Sequence, residues 1–158
     1  METISLEAKI SQLLIKHKKK LAVAESCTGG LISHYLTNIP GSSNFFLLGV
    51  VAYDPKAKIY LLKVPQKIIK IKGTVSSEVA KYMAKGILKL ANADISIGLT
   101  GIAGPSGGTK ESPVGTVYIA VASQFKLSCK KFYFKGNRQT IKRKASRAAL
   151  SFLKRCLN

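Results

Sequence analysis

A short apolar run, Leu21-Ala22-Val23-Ala24, passes without a break into Glu25-Ser26-Cys27-Thr28-Gly29-Gly30, and a helical pattern begins at Leu31. A strand that leaves through a small, polar, Gly-rich turn and enters a helix belongs to an α/β architecture. In such sheets ligands collect at the carboxyl ends of the strands. The turn offers hydroxyl, thiol and backbone N–H groups at the positive end of a helix dipole, a setting that suits an anion or an oxygen becoming one. A second exit of this kind, Thr100-Gly101-Ile102-Ala103-Gly104-Pro105-Ser106-Gly107-Gly108-Thr109, lies far downstream. Two such turns in 158 residues point to one shared site.

The rest of the chain supports the same class. Leu6, Ile10, Leu13 and Leu14 recur at helical spacing, which predicts an amphipathic helix over about residues 4–17. The spacing after Leu31 predicts a helix that stops before Pro40-Gly41. Asn44–Tyr53 reads as a buried strand because it is almost continuously apolar. Asp54-Pro55 reads as a cap and first turn of a helix over 55–62. Ser76 or Ser77 caps a further helix with Val79, Met83, Ile87 and Leu90 along one face. Ile95–Leu99, Val114–Ala122 and Lys126–Phe134 read as strands, the last two adjacent, and 138–156 as a closing helix. Helices and strands alternate for two-thirds of the chain, and then two strands follow each other. The expectation is one domain over 1–158, a three-layer α/β/α sandwich around a mostly parallel mixed sheet. Glu25–Gly30, Tyr53–Lys58 and Thr100–Thr109 then converge on one cleft.

Charge narrows the ligand. There are 26 Lys and Arg against 7 Asp and Glu, a formal net charge of +19. That field attracts anions, including phosphates and nucleotides, although any single lysine is more often solvated surface. Cys27, Cys129 and Cys156 are odd in number and lack paired spacing, which fits a reducing compartment. No C-x-x-C or H-x-x-x-H occurs, so no zinc site is expected. The stretch Met1–Glu7 does not read as a signal peptide, and no apolar run reaches membrane-spanning length. A cytoplasmic protein is expected.

Two side chains at the first turn could attack an acyl carbon. Ser26 sits where a strand-to-helix turn can project a hydroxyl beside outward N–H groups, although it could equally be a simple helix cap. Cys27 is its rival, but a thiol nucleophile usually has a histidine, and neither His17 nor His34 is suitably placed. A serine without histidine needs lysine as base, and that lysine must be neutral at working pH, a state that burial and neighbouring cations both favour. Lys56 and Lys58 both follow the second strand. Lys58 borders the inner stripe of the 55–62 helix and Lys56 does not, so periodicity leans to Lys58. The glycines of the 101–109 loop could cradle a phosphate or an oxyanion, but they match neither a Walker loop nor a dinucleotide fingerprint. Arg138 could bind a phosphate or simply open the last helix.

Taken in order, Ala24–Gly30, Gly49-Val50-Val51-Ala52-Tyr53 with Lys58, Gly73-Thr74-Val75-Ser76, Thr100–Pro105, Pro113–Tyr118 and Gly136-Asn137-Arg138 resemble the CinA C-terminal domain family over nearly the whole chain. The resemblance implies a nicotinamide-nucleotide amidase, which hydrolyses nicotinamide mononucleotide to nicotinate mononucleotide and ammonia in pyridine nucleotide salvage. It implies Ser26 as nucleophile and Lys58 as its base. It implies binding roles for Thr28, Gly29, Gly30, Tyr53, Thr100, Gly101, Gly104, Gly107 and Arg138, with no cofactor and no metal. The partner implied is a small-molecule nucleotide, with no specific nucleic acid and no membrane, and a homo-oligomer is left open. Longer relatives carry a preceding nucleotide-processing domain that this sequence is expected to lack. One departure is Asp54-Pro55-Lys56, where the family more often has a Ser-Asn-acidic run. The change brings a second lysine toward Lys58 and is expected to lower the pKa of Lys58 by like-charge repulsion. The contrasting reading is a non-catalytic basic module in which Lys142, Arg143, Lys144, Arg147, Lys154 and Arg155 engage nucleotides or nucleic acid.

Overall fold

The central strands keep their large side chains on one face and their small ones on the other. This holds across a computed structural model that describes residues 3–158; Met1 and Glu2, part of the stretch read for a leader, lie outside the described residues. The elements in chain order are α1 (Leu6–Lys16), β1 (Leu21–Glu25), α2 (Leu31–Thr37), a 3-10 turn (Ser42–Asn44), β2 (Phe46–Val51), α3 (Pro55–Leu62), α4 (Gln66–Lys72), α5 (Ser77–Ala91), β3 (Ile95–Gly101), β4 (Thr116–Ser123), β5 (Leu127–Tyr133) and α6 (Arg138–Leu157). Leu21, Val23, Ile95, Ile97, Leu99, Val117, Ile119 and Val121 pack against α1, α2 and α6. Ala22, Ala24, Ala120 and Ala122 face the other way, toward α3, α4 and α5.

Small residues let that second layer approach closely. A Cβ on Gly98 would stand 2.3 Å from the backbone nitrogen of Ala84 in α5, and one on Gly86 would stand 2.1 Å from the carbonyl oxygen of Leu62. The Ser96 hydroxyl, fully buried in the same layer, donates to the Ala84 carbonyl at 2.7 Å. The result is the expected three-layer sandwich.

The sheet order is β2-β1-β3-β4-β5. β1 pairs in parallel with β2 and β3, while β3–β4 and β4–β5 are antiparallel, so β4 alone runs against the rest. Register aligns Glu25 with Val51 and Ala24 with Gly98. The carboxyl ends of β2, β1 and β3 therefore lie side by side, and the three exits predicted to converge leave from one edge of the layer.

Three expectations need correction. β2 is not a buried strand: it is the sheet edge, with Leu47 45% and Val51 50% exposed. An apolar run reports what a strand could bury, whereas the neighbour count decides what it does bury. The strand is also shorter than Asn44–Tyr53, because Asn44 closes the 3-10 turn. α4 was not anticipated. On α5, Val79, Met83 and Ile87 are buried, but Leu90 in the last turn is 49% exposed. Among the described residues no helix is long and apolar enough to cross a membrane.

Candidate active site

Lys58 is a lysine with no exposure at all, placed in the first turns of α3. Local sequence explains how it gets there. The Asp54 side chain accepts the Lys56 N–H at 2.8 Å and Pro55 occupies the first helical position, so α3 starts directly after β2. The Lys58 side chain then folds back over the helix start. Its Nζ lies 2.7 Å from the Ala52 carbonyl oxygen, 2.9 Å from that of Tyr53 and 2.8 Å from Ser26 Oγ.

The count of groups around Nζ matters. A protonated amine has three N–H groups, and all three find acceptors here. After one proton leaves, the two backbone carbonyls retain the two remaining N–H groups. The third direction, toward the Ser26 hydroxyl, then carries the lone pair. Burial disfavours the charged form and lowers the Lys58 pKa from 10.5 to about 8, with Cys27 and Asp54 pushing the other way. The lowering comes from burial, one of the two influences expected on such a lysine, and not from the other, the neighbouring cation Lys56. That side chain is exposed, and its charge is not among the influences on Lys58.

Ser26 is 7% exposed at the end of β1. Its neighbour Cys27 is buried as well, and burial pushes the thiol up to about 12, even though Lys58 and Lys142 favour its thiolate. The thiol stays protonated although it sits at a helix terminus. One reason is that the terminus is already occupied. The Glu25 carboxylate, fully buried, accepts from the Thr28 hydroxyl at 2.6 Å, the Ile32 N–H at 3.0 Å, the Ser33 N–H at 2.9 Å and the Ser33 hydroxyl at 2.8 Å. It neutralises the start of α2, a helix of only seven residues. Sequence reasoning treated Glu25 as a strand end. An acid closing a buried apolar strand just before a helix was the signal for this role.

The turn itself needs its glycines, since Gly29 and Gly30 sit at φ +64° and +98°. The Thr28 hydroxyl is spent on Glu25 and the Gly29 N–H donates to the Ser26 carbonyl at 3.0 Å. The N–H groups of Thr28 and Gly30 have no backbone acceptor among the described residues.

The other predicted residues divide between contact and support. Thr100 is buried and its hydroxyl donates to the Thr74 carbonyl at 3.1 Å. Gly101 is a packing glycine, because a Cβ there would stand 2.7 Å from Val117 Cγ2 and 3.1 Å from Cys27 Sγ. Arg138 ties the rim together: Nη1 donates to the Gly104 carbonyl at 2.5 Å and Nη2 to the Tyr53 hydroxyl at 2.7 Å. Tyr53 is 56% exposed, and Gly107 lies on the exposed stretch of the same 101–109 loop. A separate cavity of about 560 Å³ lies between α3 and α5, lined by Leu61, Tyr82, Lys85 and Leu90 among others, and contains neither Ser26 nor Lys58.

The basic residues of α6 do not form one free stripe. Lys144 donates to the Lys135 carbonyl at 2.9 Å, Arg147 is paired with Glu7, and Lys142 reaches the Ser26–Gly30 turn.

The chain and its fold have counterparts among known proteins. The CinA C-terminal domain model matches residues 3–157. A CinA-like protein of Desulfotalea psychrophila is 49% identical over 148 residues, covering 94% of this chain and 36% of the relative. A putative competence-damage inducible protein of Clostridium beijerinckii is 47% identical over 99% of this chain and 38% of the relative. This chain therefore spans little more than a third of the curated relatives it matches. Among solved structures, the competence damage-inducible protein A from Klebsiella pneumoniae superposes with a TM-score of 0.92 at 36% identity, covering 95% of this chain and 93% of that one. The CinA superfamily protein from Enterobacter cloacae gives 0.94 at 32% identity, with 100% and 95% covered. The chain belongs to the CinA C-terminal domain family.

Proposed function

We propose that this chain is a nicotinamide-nucleotide amidase that works through a Ser26 acyl-enzyme with Lys58 as base. The observation that carries the reading is the trio of acceptors around Lys58 Nζ, which leaves a neutral amine with its lone pair facing Ser26 Oγ. Neutral Lys58 takes the Ser26 proton as Oγ attacks the carboxamide carbon. The oxyanion that forms is held by backbone N–H groups around Thr28–Gly30, of which those of Thr28 and Gly30 have no backbone acceptor. Lys58 returns the proton to the leaving nitrogen, and ammonia departs as the carbonyl reforms. Water then attacks the ester, Lys58 taking its proton and handing it to Ser26 Oγ as the nicotinate nucleotide leaves. Tyr53 lines the ring, and the 101–107 loop, held by Arg138, closes the rim.

Family membership supports the assignment of substrate, and the positive field of the chain suits a nucleotide. Ammonia release from nicotinamide mononucleotide by the purified chain tests the reading. Activity that disappears in Ser26→Ala is the expected result, and no release above background at any pH from 7 to 9 would refute it.

A further inference from the structure

Phe125 is the most exposed large apolar side chain among the described residues, at 92%, ahead of Tyr60 at 74%. It sits at the tip of the β4–β5 hairpin. There the Ser123 N–H donates to the Lys126 carbonyl at 2.8 Å and the Lys126 N–H donates to Ser123 Oγ at 3.2 Å. Neither the core nor the turn explains the residue. A ring left in water forgoes the stabilisation of burial, and tight turns favour Gly, Asn, Asp or Ser over an aromatic.

Its surroundings are basic. Phe125, Gln124, Lys19, Lys85 and Lys89 line one cavity of about 600 Å³. The three lysines come from the turn after α1 and from α5. All are exposed, and none makes an ion pair or hydrogen bond with a described residue. Asp94, the carboxylate in the lining, already accepts the Lys20 N–H at 2.7 Å. Register places this cavity away from the acyl centre. Ile95 pairs with both Ser123 and Leu21, so the hairpin tip stands at the amino ends of β1 and β3, whereas Ser26 follows the carboxyl end of β1. Nothing in the amidase chemistry uses this end of the molecule, and a net charge of +19 favours an anionic visitor.

We propose that this end of the sheet binds single-stranded nucleic acid without sequence preference, an unpaired base stacking on Phe125 and the adjoining phosphates lying along Lys19, Lys85 and Lys89. Every base offers a π-face to an aromatic ring, and lysines neutralise the backbone on either side of it. A free ring beside several free cations in a hollow meets both needs at once. A duplex keeps its base faces stacked inside and loses the first contact. An anionic membrane is the poorer match, because it calls for a broad apolar face and here one ring stands at a concavity.

The experiment follows the fluorescence anisotropy of short labelled oligothymidylate and oligouridylate over a series of salt concentrations. It uses wild type, Phe125→Ala, Phe125→Trp, the double variant Lys85→Gln with Lys89→Gln, and Lys67→Gln on α4 as a charge-loss control outside the cavity. Phe125→Ala weakens binding at least tenfold without changing the salt slope, and Phe125→Trp keeps it. The double variant makes the slope shallower by about 1.4, as expected when two phosphate contacts to a single strand are lost, and Lys67→Gln leaves it in place. A duplex of the same length competes at least tenfold less well than the single strand. Melting temperature checks that each variant folds, and Phe125→Asn replaces Phe125→Ala if the latter does not. Wild type that binds neither oligonucleotide at low salt would overturn the proposal, as would Phe125→Ala that binds like wild type. So would displacement of the oligonucleotide at equal strength by polyglutamate, by duplex or by free uridine monophosphate. Phosphatidylserine vesicles that bind through Phe125 while the oligonucleotides do not would assign the ring to a membrane instead.

Discussion

Lys58 Nζ and Ser26 Oγ meet at 2.8 Å across 32 residues of sequence, one carried by the start of α3 and the other by the end of β1. Ser26→Ala removes the attacking oxygen and leaves the lysine held by two carbonyls. Ammonia release should fall by about 10⁴-fold or more, as for other activated nucleophiles, with little change in melting temperature. Cys27→Ala should keep substantial activity, because a thiol pushed up to about 12 is protonated at working pH. A dead Cys27→Ala with an active Ser26→Ala would reverse the assignment.

The Lys58 base sets the pH profile. Its proton must leave before it can accept one from Ser26, so kcat/KM should rise with pH through a midpoint near 8. Lys58→Arg should be as inactive as Lys58→Ala, because a guanidinium does not deprotonate in this range. Lys56→Ala should leave the midpoint in place, since the low value comes from burial. A midpoint that moves by a full unit in Lys56→Ala would restore charge repulsion as the cause.

The same group links stability to pH. Folding lowers the Lys58 pKa from 10.5 to about 8, so between these values the unfolded chain binds more protons than the folded one. Stability from this site is therefore lost as pH falls through that window and gained as it rises. Relative to Lys58→Met, wild type should gain melting temperature on going from pH 8 to pH 10. A difference between the two that is flat with pH would contradict the assignment.

Glu25 should be as indispensable as the residues it positions. Glu25→Ala strips acceptors from two backbone N–H groups and two hydroxyls inside the protein. A loss of about 3 kcal/mol or more is expected by chemical denaturation, because hydrogen bonds to a buried charged group are each worth about 1.5–3 kcal/mol. Glu25→Gln should fall between wild type and Glu25→Ala. A Glu25→Ala protein of unchanged stability would mean that the turn holds itself.

Arg138→Ala should weaken kcat/KM more than Tyr53→Phe does. The first loses contacts to both Gly104 and Tyr53, and the second loses only the hydroxyl that accepts from Nη2. The pair is partly exposed, so the coupling between the two substitutions should be modest, about 1 kcal/mol or less in a double-mutant cycle. No coupling at all would remove Tyr53 from the brace.

Much of this layout was legible because strong local patterns coincide with it. Leu21–Glu25 is a strand as read, and the capping serine before α5 is Ser76, whose hydroxyl accepts the Val79 N–H at 3.2 Å. The lean toward Lys58 came from helix periodicity, and its depth of burial follows from that same inner stripe. What escaped was set by neighbours. α4 is only seven residues, Gln66–Lys72, rich in Lys and Ile and too short for a periodic signal, although Pro65 before it and Gly73 after it mark its limits. Nothing local marks β2 as an edge. Lys142 read as one more base on α6 because the turn it approaches, at Gly29, lies more than a hundred residues away.

α6 supplies Arg138 and Lys142, and it reaches the site only by laying Ile141, Ala145, Ala149, Leu150 and Leu153 on the sheet. On the ribosome it emerges after every strand it covers. A growing chain therefore carries Ser26 and Lys58 well before the helix that frames them can dock. Until α6 docks, the Ser26–Lys58 pair stands without its frame.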